Sequence, residues 1–465
     1  MARWTPDPSF YPSPKQAMEA PEETLAYVAL LEPDQSSRPD ALGVIDLEPG
    51  SDTYGQIVST VEMAEPGDEL HHFGWNACSA ALCPTAPRPH VERRYLVVPG
   101  LASSRTYVID TKDDPRTPKI VKTIEPQELI AKTGYSRPHT SHCGPDAIYM
   151  SGLGGANGAD ESGGIFRLDC ETFEPLGPWE SQKDSPQRYQ YDFWWHLNKD
   201  TLVSSEWGTP AMFENGVVPE KLLAGEYGHA MHVWDLRSGK HVKALDLGAE
   251  QQMVLELRPA HDPSREWGFV GVVVSTADLS ASVWHWYREN GDWQIRKAIT
   301  IPAEPADPEL LPPLLQGFGA VPPLVSDINL SLDDRFLYVS CWGTGDFLQY
   351  DVSDPFNAKL TGKVRLGGIV SREAHPASGP LTGGPQMVEL SRDGRRAYVS
   401  NSLYSSWDTQ FYPAGLDGWV AKLDVGPDGG LALDPEFLTT EFDGRKPHQI
   451  RLEGGDASSD SYCFS

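Results

Sequence analysis

Short apolar runs of strand length recur along the whole chain, each ending in an acidic residue and turning at once into a second strand. The acidic residue is Asp46 in GVIDLEPG, Asp110 in TYVIDTKD, Asp169 in IFRLDCET, Asp235 in HVWDLRSG, Asp351 in LQYDVSDP and Asp424 in VAKLDVGP. VWHWYRENGDW supplies a seventh unit, with Trp286 in the aspartate's place. Neighbouring members of this series lie 51 to 73 residues apart. A repeat of that size, built from strand, turn and strand, predicts a β-propeller rather than a helical solenoid. SLDDRFLYVS (331–340) and SRDGRRAYVS (391–400) match at an offset of 60, each with a polar turn before an alternating strand. That pattern reads as the hairpin between a blade's first two strands. Asp113-Asp114-Pro115 and Asp354-Pro355 read as turns between the outer strands, where proline withholds no needed ladder donor.

Counting back from each hairpin places seven inner strands. They begin near His71-His72, between His139 and His142, at Tyr191-Asp192, between Val254 and Glu256, at Asp327, at Gln386 and at His448. The N-terminal runs TLAYVALLE and GVIDLEPG lack an inner strand of their own, and PHQIRLE near the C-terminus is followed by too little chain for a blade. The expected fold is therefore all-β, a seven-bladed propeller closed by pairing of N- and C-terminal segments, which removes exposed edges. We expect one domain over 1–465, with 1–24 as an N-terminal extension and 301–323 as a long proline-rich loop. The leucines of that loop (Leu310, Leu311, Leu314, Leu315) fit either a short helix over one face of the ring or a solvated insertion.

Charge narrows the partners. With 38 basic against 66 acidic residues the net charge is −28, a field that repels nucleic acid and anionic membranes. The sequence shows no apolar stretch of membrane-spanning length and no charged-then-apolar leader, so the expected location is the cytoplasm, without membrane insertion. Six cysteines are too few for a disulfide framework. Cys170 and Cys341 fall in strand patterns as small buried hydrophobes, whereas Cys78, Cys83 and Cys143 each lie a few residues from a channel histidine.

Those histidines carry the candidate chemistry. His71, His72, His142 and His448 sit at or near the starts of inner strands of three consecutive blades, which would bring them to one mouth of the channel. Imidazole clusters hold copper, zinc, iron or nickel, with an affinity order that favours copper. Taken singly, each would be a hydrogen-bonded packing residue. His139, three positions before His142, points elsewhere in a regular strand and joins the group only if the backbone turns there. Of His71 and His72, one faces the channel unless a bulge turns both inward. Asp192, Glu256, Asp327 and Gln386 are expected to line a water-filled channel, or to serve as calcium ligands. Trp75, Trp194, Trp195 and Trp207 are candidates to wall a pocket for a small apolar substrate, though most of the 14 tryptophans belong to interblade packing. His229 and His232 read as structural, and Trp407, Asp408 and Tyr412 mark a distinctive loop without an assigned role. No G-x-S-x-G elbow, Walker loop or dinucleotide fingerprint is present.

DELHHFGWNACS, HTSHC, YDFWW, SSEWGTP, YGHAMHVWD, GGPQMVELS, LYSSWDTQFYP and the terminal GGDASSD, in this order, resemble the selenium-binding protein family, which includes copper-dependent methanethiol oxidases. The resemblance covers nearly the whole chain and implies a seven-bladed propeller. It further implies oxidation of methanethiol by dioxygen and water to formaldehyde, hydrogen sulfide and hydrogen peroxide at a histidine-held copper. Carried over by motif, the metal ligands are His71, His72, His142 and His448, with His139 as a further candidate. The catalytic set is His71, His72 and His142, with Cys78 beside the metal as a redox partner. The partners implied are a small thiol and dioxygen, with selenium as a further ligand. Where the family carries C-S-S-C, this chain has Cys78-Ser79-Ala80-Ala81, with Cys83 two residues later. That departure argues against selenium capture between paired thiols. The competing readings are a non-catalytic selenium- or metal-binding carrier or scaffold, since propellers often serve as platforms, and more weakly a calcium-dependent hydrolase using Asp192, Glu256 and Asp327.

Overall fold

The repeating aspartates mark the ends of strands because their side chains stop them. Asp46, Asp110, Asp169 and Asp351 each accept, on Oδ1, the N–H of the residue two positions on, at 2.9–3.0 Å. This local bond competes with the ladder and turns the chain. The paired motifs around Ser331 and Ser391 work the same way. Each serine hydroxyl donates to the aspartate two residues on, at 2.5 Å, and accepts an N–H from the start of the next strand. Asp334 and Gly394, at equivalent turn positions, both adopt left-handed backbone (φ 59° and 69°). In the seventh unit the turn is made instead by Asn290-Gly291, both at positive φ, so the strand Ala281–Glu289 runs on past Trp286.

The protein is described by a computed structural model over residues 5–181 and 185–465. Its strands form seven four-stranded antiparallel sheets arranged as the blades of a β-propeller. Blade 1 takes Leu25–Leu31, Ala41–Asp46 and Ile57–Glu62 from the N-terminal region, and its inner strand, Lys446–Leu452, from the C-terminal region. The register of that closure is Ala26 with Leu452, Tyr27 with Arg451 and Val28 with Ile450. Blades 2 to 7 follow in chain order, with inner strands Gly74–Trp75, Tyr135–Cys143, Phe193–His196, Gln251–Pro259, Val325–Leu330 and Val388–Leu390. Inner and middle strands are buried on both faces, as in Leu25–Leu31 and Gln251–Pro259, which is why they read as unbroken apolar runs. Outer strands such as Lys240–Asp246 alternate between exposed and covered positions.

The two ends of the channel are covered differently. Short helices Pro210–Phe213, Pro219–Leu223, Pro313–Gln316 and Ser405–Phe411 cap the end where the inner strands begin. Their side chains form an apolar cluster with Trp207, Tyr227, Met253 and Trp342. Within the proline-rich segment, Leu311 and Leu315 are buried in this cluster while Leu310 is exposed. At the far end the C-terminal tail crosses the ring. The buried Asp460 carboxylate bridges Arg93 (2.5 Å) and Arg392 (2.7 Å) and accepts the Ser79 N–H. Trp195 donates to the Ser461 hydroxyl at 2.7 Å. The N-terminal extension reaches the same face, where the Tyr11 N–H donates to Ser79 and Arg392 donates to the Ser9 carbonyl. A disulfide, Cys83–Cys463, pins the tail, so two of the six cysteines are paired after all. Because 380 residues separate them, only the closed ring brings them together. Among the described residues no helix is long and apolar enough to cross a membrane.

Burial alone would raise the Asp460 carboxyl, but Arg93 and Arg392 outweigh it and hold the group down to about 2. Because the folded value lies below that of an unfolded aspartate (~3.9), the pair contributes its full stability above pH ~4 and loses it as pH falls toward 2. Asp460→Asn leaves two buried guanidiniums without their carboxylate, at a cost of about 3–5 kcal/mol. We expect a lower thermal midpoint for this variant at neutral pH, with the gap to wild type narrowing in acid, as followed by circular dichroism melts.

Candidate metal centre

Inner strands that meet at the capped mouth carry one residue more than the strands they pair with. In blade 3, Pro138 pairs with Gly152 but Ser141 with Met150, so three steps along one strand oppose two along the other. Blade 1 shows the same slip between Pro447 and Ile450 against Leu30 and Val28, and blade 5 between Val254 and Leu257. In blade 2 the Leu70–Gly100 bridge and the Gly74–Val97 pair enclose one extra residue in the same way. A bulge breaks the alternation of faces and re-aims side chains. The residues inside these four bulges include His448, His71, His72, His139 and Glu256. The His72 carbonyl accepts the Ser141 N–H of blade 3 at 3.1 Å rather than pairing within its own sheet. That bond turns His72 out of its own ladder and locks two blades together, while the His71 N–H still donates to the Pro99 carbonyl within blade 2 at 3.0 Å.

Four imidazoles pack at this point. The His71 ring lies 4.1 Å from His448, 4.8 Å from His139 and 5.1 Å from His72, centroid to centroid. His72 lies 4.2 Å from His139. Coordinating nitrogens of His71, His72 and His448 come within 4.8 Å of one another. Hydrogen bonds orient the rings from outside. His448 Nδ1 donates to the Ser402 carbonyl at 2.9 Å, and His139 Nδ1 bonds to the Thr140 hydroxyl at 2.8 Å. Each bond leaves Nε2 available inward. His71 Nδ1, His139 Nε2 and His448 Nε2 are buried without a hydrogen-bond partner. Such orphaned groups cost about 1–3 kcal/mol each, and three in one nest make a donor set able to hold a ligand that accepts nitrogen lone pairs. Burial, reinforced for His71, His72 and His139 by neighbouring imidazoles, holds these rings well below the ordinary histidine value, and burial takes His448 to about 4. All four are therefore neutral at pH 7, the protonation state a transition metal requires.

A cavity of about 20 Å³ opens beside the rings, walled by Trp207, Met253, Leu255, Trp342 and Trp407. Of the tryptophans expected to wall a pocket, Trp207 does so. Trp75 packs on Tyr27, Trp194 covers His142 and Trp195 holds the tail. Trp407, in the loop that had no assigned role, fills that place on the helix Ser405–Phe411. Asp408 anchors the helix by accepting from Ser402 and Leu403, and Tyr412 donates to the Trp342 carbonyl at 2.6 Å.

His142 is not in the nest. It lies one strand period deeper, 3.2 Å from Asp192 Oδ1 and 3.9 Å from the Trp194 ring. The bulge exchanges its place with that of His139. Cys78 lies at the opposite end of the inner strands, where its thiol donates to the Cys143 carbonyl at 3.0 Å in a cluster with Cys83 and Cys463. His232 is confirmed in a packing position between Glu206 and His241 on a third strand, and His229 pairs with Asp246.

The carboxylates expected to line a water-filled channel instead surround a buried guanidinium. Arg258 reaches Asp192 (3.6 Å), Glu256 (3.1 Å) and Asp327 (3.1 Å), all buried. Burial raises all three carboxyls, Asp192 to about 6 and Glu256 to about 7, with Arg258 opposing the rise. Arg451 pairs with Glu389 in the same layer. Glu256 ties this layer to the nest, accepting the Tyr191 hydroxyl at 2.9 Å and lying 3.6 Å from His72 Nδ1. Gln386 lines the cavity with its Oε1 unpartnered.

Fold and site together define a class: a seven-bladed propeller with a nest of neutral imidazoles under a helical cap at one channel mouth. The chain belongs to the 56 kDa selenium-binding protein family, whose description matches residues 4–463. It is 40% identical to a methanethiol oxidase of Xenopus laevis and 38% identical to selenium-binding protein 2 of Mus musculus, each alignment covering 97% of both chains. Its structure is similar to that of a hypothetical selenium-binding protein from Sulfolobus tokodaii, with a TM-score of 0.95, 56% identity, and coverage of 99% of this chain and 100% of that one.

Replacing Arg258 by methionine should leave three buried carboxylates without their cation, a loss of about 3–5 kcal/mol. Thermal unfolding should show a large drop in midpoint, whereas Arg237→Met, on an exposed guanidinium, should leave it nearly unchanged.

Proposed function

We propose that this chain oxidises methanethiol with dioxygen and water to formaldehyde, hydrogen sulfide and hydrogen peroxide, at a copper held by His71, His72, His139 and His448. The observation that carries the reading is the cluster of buried, neutral imidazoles in which nitrogens of His71, His72 and His448 come within 4.8 Å of one another, with the His139 ring packed against them. All-nitrogen donor sets of this kind suit copper over harder cations. When bound, copper supplies a one-electron couple between thiol and dioxygen. The protein's own residues do the rest. Trp207, Leu255, Trp342 and Trp407 give the cavity apolar walls that suit a methyl group and exclude bulk water. The buried indole N–H of Trp207, a residue of the cavity wall, has no partner among the described residues and is available to hydrogen-bond a reacting sulfur or oxygen. The bond to the Ser402 carbonyl fixes the tautomer and ring angle of His448, and the bond to the Thr140 hydroxyl fixes the ring angle of His139. The relatives named methanethiol oxidase support the same activity. A carrier that captures selenium between Cys78 and Cys83 is disfavoured, because Cys83 is bonded to Cys463 and Cys78 is buried.

Protein purified without a histidine tag should hold about one copper per chain by elemental analysis and release hydrogen sulfide and peroxide from methanethiol. His448→Ala and His71→Ala should lower copper content and kcat/KM together, by about 100-fold in activity, while His142→Ala keeps its copper. Loss of copper in His142→Ala with retention in His139→Ala would refute this ligand set. Copper bound at full stoichiometry without turnover would refute the oxidase and leave a carrier.

A further inference from the structure

Above the imidazole cavity lies a second one of about 60 Å³, inside the cap between helices Pro219–Leu223 and Pro313–Gln316. It has room for a molecule of a few heavy atoms. Its lining is almost wholly aliphatic and aromatic, and two of its members, Leu223 (61% exposed) and Phe318 (47% exposed), stand at the protein surface. The two cavities share four wall residues: Met253, Val273, Leu324 and Trp407. These four form a partition one side chain thick between an apolar antechamber open toward solvent and the histidine nest.

The backbone marks this partition as deliberate. Met253 (φ 64°) and Leu324 (φ 53°) both occupy the left-handed region, as does Leu279 (φ 60°) in the antechamber wall. Large side chains rarely adopt that conformation, and strain of this kind persists where the surrounding structure needs the side chain in place. The partition also combines one fixed and one adaptable element. Trp407 is held by an indole bond to the Phe213 carbonyl at 2.9 Å. Met253 has three rotatable bonds and a soft thioether that swings at little cost. Nothing in the antechamber would solvate a charge, so it admits neutral solutes only. A small thiol, with a pKa above 8 like that of cysteine, is mostly uncharged at pH 7.

We infer that the antechamber is the substrate entrance and that Met253 and Leu324 form its gate, passing small neutral alkyl thiols and turning back thiolates and longer chains. The identity of the solute rests on the oxidase reading; the route does not. Xenon tests the route directly. Crystals pressurised with xenon should show it in the antechamber, and Leu279→Trp, which fills that space, should exclude it. The same variant should keep its copper and lose at least tenfold in kcat/KM for methanethiol, mainly through KM. Met253→Ala and Leu324→Ala should each raise the ratio of kcat/KM for propanethiol over methanethiol at least tenfold, so one of the two decides the matter if the other fails to fold. Absence of xenon from the antechamber, or an unchanged propanethiol-to-methanethiol ratio in a folded gate variant, would overturn the inference. If wild type oxidises no thiol, the oxidase reading falls, and xenon entry and its loss in Leu279→Trp still decide the route.

Discussion

The structure depends on one pairing, that of Lys446–Leu452 with Leu25–Leu31. A propeller of six complete blades and one without its inner strand would expose ladder groups on two edges and leave a slot in the channel wall. Closing it gives every blade two neighbours, and the interblade clusters depend on that. Tyr27 and Val44 pack on Leu96 and Val98 across one seam, while Tyr398 and Val420 pack on Ile450 and Leu452 across the next. The same pairing delivers His448 to the mouth of the channel and the C-terminal tail to its far end. Closure, histidine nest and tail lock are thus three results of a single strand finding its place.

Within the closed ring, the bulges do the chemical placement. A regular inner strand turns every second side chain toward the axis, too sparse a pattern for four imidazoles at one level. One extra residue in each of blades 1, 2 and 3 turns otherwise misdirected histidines inward at the same height. Beneath them the Arg258 and Arg451 layer fills the channel with charge matched by buried carboxylates, so the nest rests on a floor of paired polar side chains. Positive guanidiniums close below also help keep His72 unprotonated.

Much of this was legible in the chain. The aspartates that end the strands act locally, so their spacing survived as a readable signal, and with it the blade count and the closing segment. His71, His72 and His448 were found because the repeat places the starts of inner strands without any need for side-chain detail. The exchange of His139 for His142 was hidden, because a bulge shifts register by one residue and leaves no mark in composition. Arg258 escaped notice for a different reason: an arginine in an apolar strand declares nothing until Asp192 and Asp327 arrive from the neighbouring blades to join Glu256 of its own strand. The Cys83–Cys463 bond and the cavity wall built from Trp342 and Trp407 are contacts across hundreds of residues, beyond the reach of local pattern.

The placement of His448 has a consequence for how the protein comes to be made. A nascent chain leaving the ribosome can assemble blades 2 to 7 in turn, but the strand that completes blade 1 emerges after all of them. Until it does, His71, His72 and His139 face a gap where their fourth member belongs, and the channel lies open along one side. The histidine nest is therefore completed only when Lys446–Leu452 docks on Leu25–Leu31, and a chain lacking that strand would carry most of a propeller and three of the four clustered imidazoles.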